Sequence, residues 1–447
     1  MRRRTARGFT LVELTVALLA GLIVGIGVIG LSREATRTFH EEMRSSAAEA
    51  TLRTAVDRLR TDLQRAAFMS TGNLSGDPFI AKAPGQTNWA NLPNGMNGLR
   101  KLASIRLIEG GSVVNGGLTL SGVQNPALAP DAIEIGGNMT SAEQFWVDHI
   151  VPGSSVCGGQ RLVLTVTGAI YRLTSTGNTQ PTQELDAIFQ PAPGRQFMVR
   201  VVDVTGRQQF VMTCAAQAAG FVGPSPYVDI DPSTPVLTPQ QTQTQGGLSA
   251  LSGGFVNPVQ LVRWEIDSAT IESQNLPQYA TALDNQSLAY GTVDPNKYDL
   301  VRMYMDAADK PVWETAEVVA EYAVDLDFAF SVDQGTSLQP KIVSFPFDDA
   351  NDALWAPDVS QQVAAPYVPG PQRIREVRVR VATRTQLPDR TANVPVPLFG
   401  GTPSQYLFRY CVNTNPSCTT NDGTPRWSRV HSVTAEVSLP NQARFFW

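Results

Sequence analysis

The strongest constraint on the fold is an uncharged segment near the N-terminus. Residues 14–31 carry no charged side chain, and four arginines precede them within residues 1–8. The stretch from Phe9 to Leu31 has 23 residues, about 34 Å as a helix, enough to span the apolar core of a bilayer. A single segment can satisfy its backbone polar groups there only as a helix. The sequence therefore predicts a membrane helix whose basic N-terminus lies in the cytoplasm.

A cleaved secretory signal peptide is the main alternative for this segment. Such a peptide has a shorter apolar region that is followed by a cleavage site of small residues. Here the apolar run continues into further helix-forming sequence, and no such site lies near residue 31. We therefore expect the segment to stay in the protein.

Glu13 is the one carboxylate in the apolar segment. A carboxylate at the centre of a membrane helix costs about 2.5–3.5 kcal/mol, and such residues usually serve a function with a partner. Glu13 either lies among the lipid head groups, not far from Arg7, or pairs with a positive charge.

The residues around this junction resemble those of type IV prepilins and pseudopilins. A basic leader precedes Gly8 and Phe9, Glu13 follows four residues later, and an uncharged span comes next. The resemblance implies that a prepilin peptidase cuts between Gly8 and Phe9 and N-methylates Phe9. It also implies that Glu13 pairs with the N-terminal amine of a neighbouring subunit. Pairing with the amine of its own helix, four residues away, is the alternative.

Two further features concern helix packing. Gly21 and Gly25 have the spacing at which small residues let membrane helices approach closely. Major pilins often have a helix-breaking proline near the position of Gly30, whereas the first proline here is Pro78. The sequence therefore gives no proline to break this helix.

The helix is predicted to continue to about Phe68. Residues 32–67 contain neither proline nor glycine, and Leu52, Val56, Leu59 and Leu63 recur at the spacing of one helix face. We expect this face to pack on a head domain. The opposite, solvated face is predicted to carry the charged residues Arg53, Asp57, Arg58, Arg60, Asp62 and Arg65.

Beyond Gly98 the apolar residues no longer recur at helical spacing. They form short segments that are either alternating or continuously apolar, and these segments predict an antiparallel sheet. In two of them Val377, Val379 and Val381 alternate with Arg378 and Arg380, and residues 433–439 alternate similarly. The arginines are predicted to form the solvated face of their strand. Strands are predicted at 132–135, 162–166, 197–204, 209–213, 259–266, 300–304, 319–332, 374–384, 407–412 and 433–439, with a helix over 316–324 as an alternative.

Together these patterns predict an α+β fold with one long N-terminal helix packed on antiparallel sheet in an enlarged β-rich head. The predicted divisions are a leader (1–8), a membrane and assembly helix (9–31), its amphipathic continuation (32–70), a first β-rich lobe (71–230), a linker or long loop (231–257) and a second lobe (258–447). A single, larger sheet is the alternative to two lobes. The predicted linker has few signals for regular secondary structure, and it contains a Gln/Thr tract that cannot build a core.

The charge and cysteine content restrict the function. The net charge is −5, and loss of residues 1–8 with their four arginines makes the side-chain sum −9, so nucleic acid is not an expected ligand. Four cysteines in an exported chain suggest two disulfides. Proximity favours Cys157–Cys214 and Cys411–Cys418, with four free thiols as the alternative. The second loop also resembles the C-terminal disulfide loop of many pilins.

No enzyme signature is present. The chain lacks nucleotide-binding, zinc-protease and nucleophile-elbow motifs, and its three histidines, His40, His149 and His431, are far apart in sequence. An acidic loop, Asp348 to Asp358, lacks the spacing of a calcium-binding EF-hand. We therefore expect no catalysis, no cofactor and no metal.

Later segments narrow the resemblance to PilW-like minor pilins. These segments are residues 59–67, 318–328, 376–381 and 429–437. The resemblance implies a minor pilin in the inner membrane that initiates or caps a type IV pilus, with its head at or near the tip. Expected partners are the prepilin peptidase, other minor pilins and the major pilin, with a tip adhesin as a candidate. A J-type pseudopilin of type II secretion and an exported binding or enzymatic module on a pilin stem are the alternatives.

Overall fold

A computed structural model describes residues 10–74, 76–80, 97–108, 130–174, 178–232, 252–268, 297–335, 339–345, 347, 370–387, 409–411 and 427–443. Its helices are α1 (Leu11–Gln64), α2 (Asn97–Arg100), α3 (Ala169–Leu173) and α4 (Pro181–Phe189). Its strands are β1 (Ile105–Ile108), β2 (Ala132–Gly137), β3 (Phe145–Val151), β4 (Arg161–Leu164), β5 (Met198–Val202), β6 (Gln208–Met212), β7 (Ala219–Val222), β8 (Ser225–Asp229), β9 (Phe255–Ser268), β10 (Tyr298–Met305), β11 (Pro311–Ala320), β12 (Ala323–Asp333), β13 (Ile342–Ser344), β14 (Ile374–Arg384), β15 (Arg409–Cys411) and β16 (Trp427–Ser438).

The long helix predicted from the sequence is confirmed. Helix α1 has 54 residues and is therefore about 81 Å long. It ends where the chain turns at Ala67 and Met69, which have positive φ values of 58° and 48°. The next part of the head comes so close that a Cβ at Gly137 would overlap the Arg65 carbonyl.

Strand β9 organises the larger of two antiparallel sheets. Its second half pairs with β2 on one side and β10 on the other, and its first half pairs with β3 and β5. The strand order is β1-β2-β9-β3-β4-β8-β7, and β10 with β11 and β5 with β6 extend from β9. The smaller sheet has the order β13-β12-β14-β16-β15.

The main core lies between helix α1 and both sheets. Leu52, Leu59 and Leu63 of the helix are fully buried there. Trp264 comes from the larger sheet and Phe328 from the smaller one. A second core, beneath helices α3 and α4, includes Phe145, Phe189 and Val199. The predicted α+β class, with one long helix and a β-rich head, is thus confirmed.

The larger sheet contains strands from both predicted lobes. Strand β9 begins at Phe255, inside the predicted linker 231–257, and it pairs with strands from both predicted lobes. Long-range pairing of this kind leaves no local signature in sequence. Residues 233–251 lie outside the described residues.

One predicted strand and its helical alternative are both corrected. The stretch 319–332 is not one strand, because β11 ends at Ala320 and β12 begins at Ala323. The turn between them places Tyr322 at a positive φ of 57°. Residues 316–324 are therefore strand, turn and strand, so a helix there is wrong.

Candidate functional site

The first half of helix α1 is an apolar surface that the described residues of the head leave uncovered. Every large apolar side chain from Leu11 to Leu31 is more than half exposed. The most apolar 18-residue window has a mean hydropathy of 2.6 and no buried residue. Residues 11–31 extend about 32 Å. The helix is thus long and apolar enough to cross a membrane, with the head on one side.

Glu13 caps the start of this helix. Its carboxylate accepts hydrogen bonds from the Thr10 backbone N at 2.9 Å and from Thr10 Oγ1 at 3.0 Å. In return, Glu13 N donates to Thr10 Oγ1 at 3.2 Å. This reciprocal arrangement is a capping box. Residues 10–13 read Thr-Leu-Val-Glu, and this spacing of Thr and Glu is itself the sequence signature of a capping box.

Helix α1 begins at Leu11, with Thr10 as its N-cap. Gly8 and Phe9 lie outside the described residues, so their predicted cleavage and methylation stay predictions. The partner predicted for Glu13, an N-terminal amine, also stays a prediction. Within the described chain its carboxylate is occupied by Thr10.

The glycines of the apolar segment leave open space on the helix. A Cβ added at Gly21, Gly25, Gly27 or Gly30 would meet no atom of the described residues within 4 Å. The helix runs without a break through Gly30. Gly21 and Gly25 therefore offer a surface that another helix can approach closely.

The helix reaches the head at Ser45. Its hydroxyl lies 3.0 Å from His431 Nε2 on β16 and accepts a hydrogen bond from Arg429 Nη1 at 3.5 Å. Before that point Phe39 and Met43 are 61% and 55% exposed. The exposed part of the helix thus includes both the apolar segment and the charged stretch from Ser32 to Arg44.

The prediction that Asp62 faces solvent is wrong. Asp62 is buried, and its carboxylate accepts hydrogen bonds from Arg302 Nε at 2.6 Å and Trp264 Nε1 at 3.0 Å. Position 62 lies three residues after Leu59 and therefore on the packed face. Burial alone would lower the pKa of the Arg302 guanidinium, but the hydrogen bonds and charge of Asp62 raise it above its ordinary value.

The alternation predicted for β14 is present, with buried valines and partly exposed arginines, but the arginine face is not simply solvated. Arg380 Nε lies 2.7 Å from Asp325, and its Nη2 lies 2.7 Å from Asp327. The guanidinium carbons of Arg378 and Arg380 lie 5.7 and 5.1 Å from the centre of the Phe347 ring. The neighbouring strand β12 supplies the carboxylates, which alternation within β14 alone could not predict.

The disulfide Cys157–Cys214 is present, with the Cα atoms 5.9 Å apart. Cys157 lies in the loop before β4, and Cys214 lies two residues after the end of β6. The predicted Cys411–Cys418 bond cannot be placed, since Cys418 lies outside the described residues.

The described residues bring together no group of three or more His, Cys, Asp or Glu side chains that could hold a metal ion. The histidines are distributed over three elements: His40 on α1, His149 on β3 and His431 on β16. The acidic residues 348–358 lie outside the described part of the chain.

The comparisons with known proteins add no relative. No protein-family model matches the chain, and no curated protein and no solved structure shows significant similarity to it.

Proposed function

We propose that this chain is a minor pilin that helps to initiate or cap a type IV pilus. The observation that carries the proposal is the leader junction, Gly8-Phe9 with Glu13, joined to an apolar helix that the head leaves uncovered. A helix with this much exposed apolar surface needs lipid or other helices around it. A pilus subunit meets both environments: lipid while it is in the inner membrane, and the helices of other subunits once it joins the filament.

The partners follow from this assignment. The prepilin peptidase would cut after Gly8 and methylate Phe9. The apolar half of helix α1 would then bundle with helices of other minor pilins and the major pilin, with Gly21 and Gly25 at close contacts. The head would lie outside the cytoplasm, at or near the pilus tip, beside a tip adhesin if one is present.

The capping box gives Glu13 two successive roles in this scheme. A side-chain cap contributes about 1 kcal/mol to helix stability. A carboxylate and an amine 4 Å apart attract by about 4 kcal/mol at an effective dielectric constant near 20. The attraction therefore exceeds the contribution of the Thr10 cap, and the difference can offset part of the cost of burying Glu13 in a filament.

Processing is tested first. The variant Gly8→Ala should leave an uncut precursor in the membrane, because the peptidase would lack its glycine at the cleavage site. Immunoblotting and N-terminal mass spectrometry measure the result. A normally cut, methylated Phe9 in this variant would reject the leader assignment.

The role of Glu13 is tested by separating its charge from its capping. Glu13→Gln keeps the capping geometry, since glutamine also serves at this position of a capping box, but removes the charge. We expect the variant to be cut normally yet to co-purify at least about tenfold less of the other pilins from membranes. Glu13→Ala, which loses both functions, should also be cut and fail to assemble.

Thr10→Ala is the matched control, because it weakens the cap and keeps the Glu13 charge. This variant should still co-purify with its partners. Unchanged co-purification of Glu13→Gln would rule out the pairing role. The identity of the captured proteins distinguishes a pilus from the alternative, a J-type position in a type II secretion system.

A further inference from the structure

Two arginines follow the apolar segment of helix α1 directly. Arg33 and Arg37 lie two and six residues beyond Leu31, the last residue of that segment, and are therefore about 3 and 9 Å farther along the helix axis. Both side chains are exposed. When the apolar segment crosses a bilayer, these arginines lie at or just beyond the lipid head groups, a layer about 5–8 Å thick on each side.

The geometry of the helix directs both side chains towards the membrane. Every Cα–Cβ bond of an α-helix is tilted towards the N-terminus of the helix, and the apolar segment is N-terminal to both arginines. The long side chain of Arg37 can therefore reach back into the head-group layer, where the side chain of Arg33 also lies. Both guanidinium groups are thus available at the same depth.

The two arginines also lie on the same side of the helix. Residues four apart are neighbours on a helix surface, and like charges at this spacing destabilise the helix. Among the described residues, no carboxylate forms an ion pair with Arg33 or Arg37, whereas Arg53, farther along the helix, pairs with Glu49. An anion between the two guanidinium groups would replace one repulsion by two attractions. A phosphate group suits this position, because it accepts bidentate hydrogen bonds from arginine.

The charges are ordered along the exposed part of the helix. Residues 32–38 contain two arginines and one glutamate, and residues 39–44 contain two glutamates and one arginine. The positive end of this stretch is therefore the end beside the apolar segment, where an anionic lipid surface attracts arginine. The leader arginines lie at the opposite end of the apolar segment. Arg33 and Arg37 thus oppose the charge asymmetry that orients a membrane helix, and topology does not account for them.

We propose that Arg33 and Arg37 together bind the phosphate group of an anionic phospholipid in the leaflet next to the head. The phosphate would lie between the two guanidinium groups, and the acyl chains of the lipid would lie along exposed apolar side chains such as Ile29 and Leu31. This contact would fix the depth of helix α1 in the bilayer and so the distance of the head from the membrane. It rests on the membrane span of helix α1 and not on the assignment to a pilus.

Native mass spectrometry of the full-length protein measures lipid retention directly. The protein is purified in a polyoxyethylene detergent and titrated with phosphatidylglycerol or, separately, with phosphatidylcholine, and the bound lipids are counted from the mass. We expect the wild type to retain phosphatidylglycerol in preference to phosphatidylcholine. Arg33→Gln and Arg37→Gln should each lower the affinity for phosphatidylglycerol about fivefold, which is the contribution of one arginine at an anionic lipid surface.

Arg44→Gln is the matched control. Arg44 is exposed on the same helix and also forms no ion pair among the described residues. It lies about 20 Å beyond Leu31 along the helix axis and therefore outside the head-group layer. Its substitution should leave the retention of phosphatidylglycerol unchanged. The melting temperature of each variant verifies that the head is folded.

Vesicle flotation separates a failure of this proposal from a failure of the membrane span. Wild-type protein that does not float with phosphatidylglycerol vesicles would overturn both. Protein that floats but retains the two lipids equally would overturn the phosphate site alone, as would an equal loss of retention in Arg44→Gln and Arg33→Gln.

Two further outcomes identify a different ligand. Displacement of the bound lipid by glycerol 1-phosphate would indicate a site for free anions and overturn the assignment to a lipid. If Arg33→Gln and Arg37→Gln reduced the co-purification of other proteins without a change in lipid retention, the arginines would serve a protein contact, and the proposal would fail. A loss of phosphatidylglycerol in both variants, with Arg44→Gln unchanged, supports it.

Discussion

The fold strongly disturbs the ionisation of Glu265. It lies on β9 with no exposed surface, 2.9 Å from Arg263 Nε. Burial raises the pKa of its carboxyl group to about 8, and the nearby charges of Asp267 and Glu134 add to the shift, while Arg263 opposes it. In the folded protein Glu265 is therefore protonated over a pH range in which it is ionised in the unfolded chain.

This shift predicts a pH dependence of stability. Since the pKa is raised on folding, the stabilisation from neutral Glu265 is complete below about pH 4.5 and is lost as the pH rises to about 8. The slope is at most about 1.4 kcal/mol per pH unit. In Glu265→Gln this slope is absent, so the variant should gain free energy of unfolding relative to the wild type between pH 5 and pH 8.

Denaturant unfolding of the full chain in detergent at both pH values measures this difference. Glu436→Gln is the control, because Glu436 is exposed on β16. A difference between Glu265→Gln and the wild type that stays constant with pH would contradict the burial effect.

At the scale of elements, helix α1 is fixed to the head by apolar packing and by one buried ion pair. Leu52, Leu59 and Leu63 are fully buried, and apolar burial of this kind is not directional. The ion pair of Asp62 with Arg302 requires a particular position along the helix axis, since both the 2.6 and 3.0 Å hydrogen bonds end at one carboxylate oxygen. We infer that Asp62 sets the register of the helix on the sheet.

Removal of one partner tests this pair. Asp62→Asn should destabilise the head by about 3–5 kcal/mol, because Arg302 would remain buried without its counter-charge. The double variant Asp62→Leu, Arg302→Met should recover most of that loss. Thermal and denaturant unfolding measure both variants.

The matched control is Asp57→Asn, since Asp57 is exposed on the same helix. If Asp62→Asn were no more destabilising than Asp57→Asn, the ion pair would contribute nothing to docking. If the double variant were as unstable as Asp62→Asn, the charged pair itself would be required for stability.

At the scale of the whole molecule, long-range strand pairing holds the head together, and the described residues of the head leave the first part of helix α1 uncovered. The exposed part of helix α1, from Leu11 to Arg44, is about 50 Å long. Strand β9 joins β2 and β5, which precede it, to β10, which follows it. The head therefore folds around the main core, which the helix completes, and around a second core beneath helices α3 and α4.

The sequence alone determined the features that depend on local order along the chain. An uncharged run of sufficient length predicts a helix in any context, and so the apolar segment, its continuation and the alternating strands of the head were predicted correctly. The Cys157–Cys214 bond was also predicted, since the two residues are neighbours among the cysteines. The Thr10–Glu13 capping box could have been predicted, because its spacing is a local signal.

Only the tertiary structure decided which residues face each other from distant parts of the chain. Asp62 was assigned to solvent because its partner Arg302 is 240 positions away, and Arg380 because Asp325 and Asp327 lie on another strand. The pairing of β9 with strands from both predicted lobes has the same origin. The periodicity of a segment shows which of its faces is apolar. It does not show which distant segment packs on that face, because the chain between the two segments can close into loops of many lengths at similar cost.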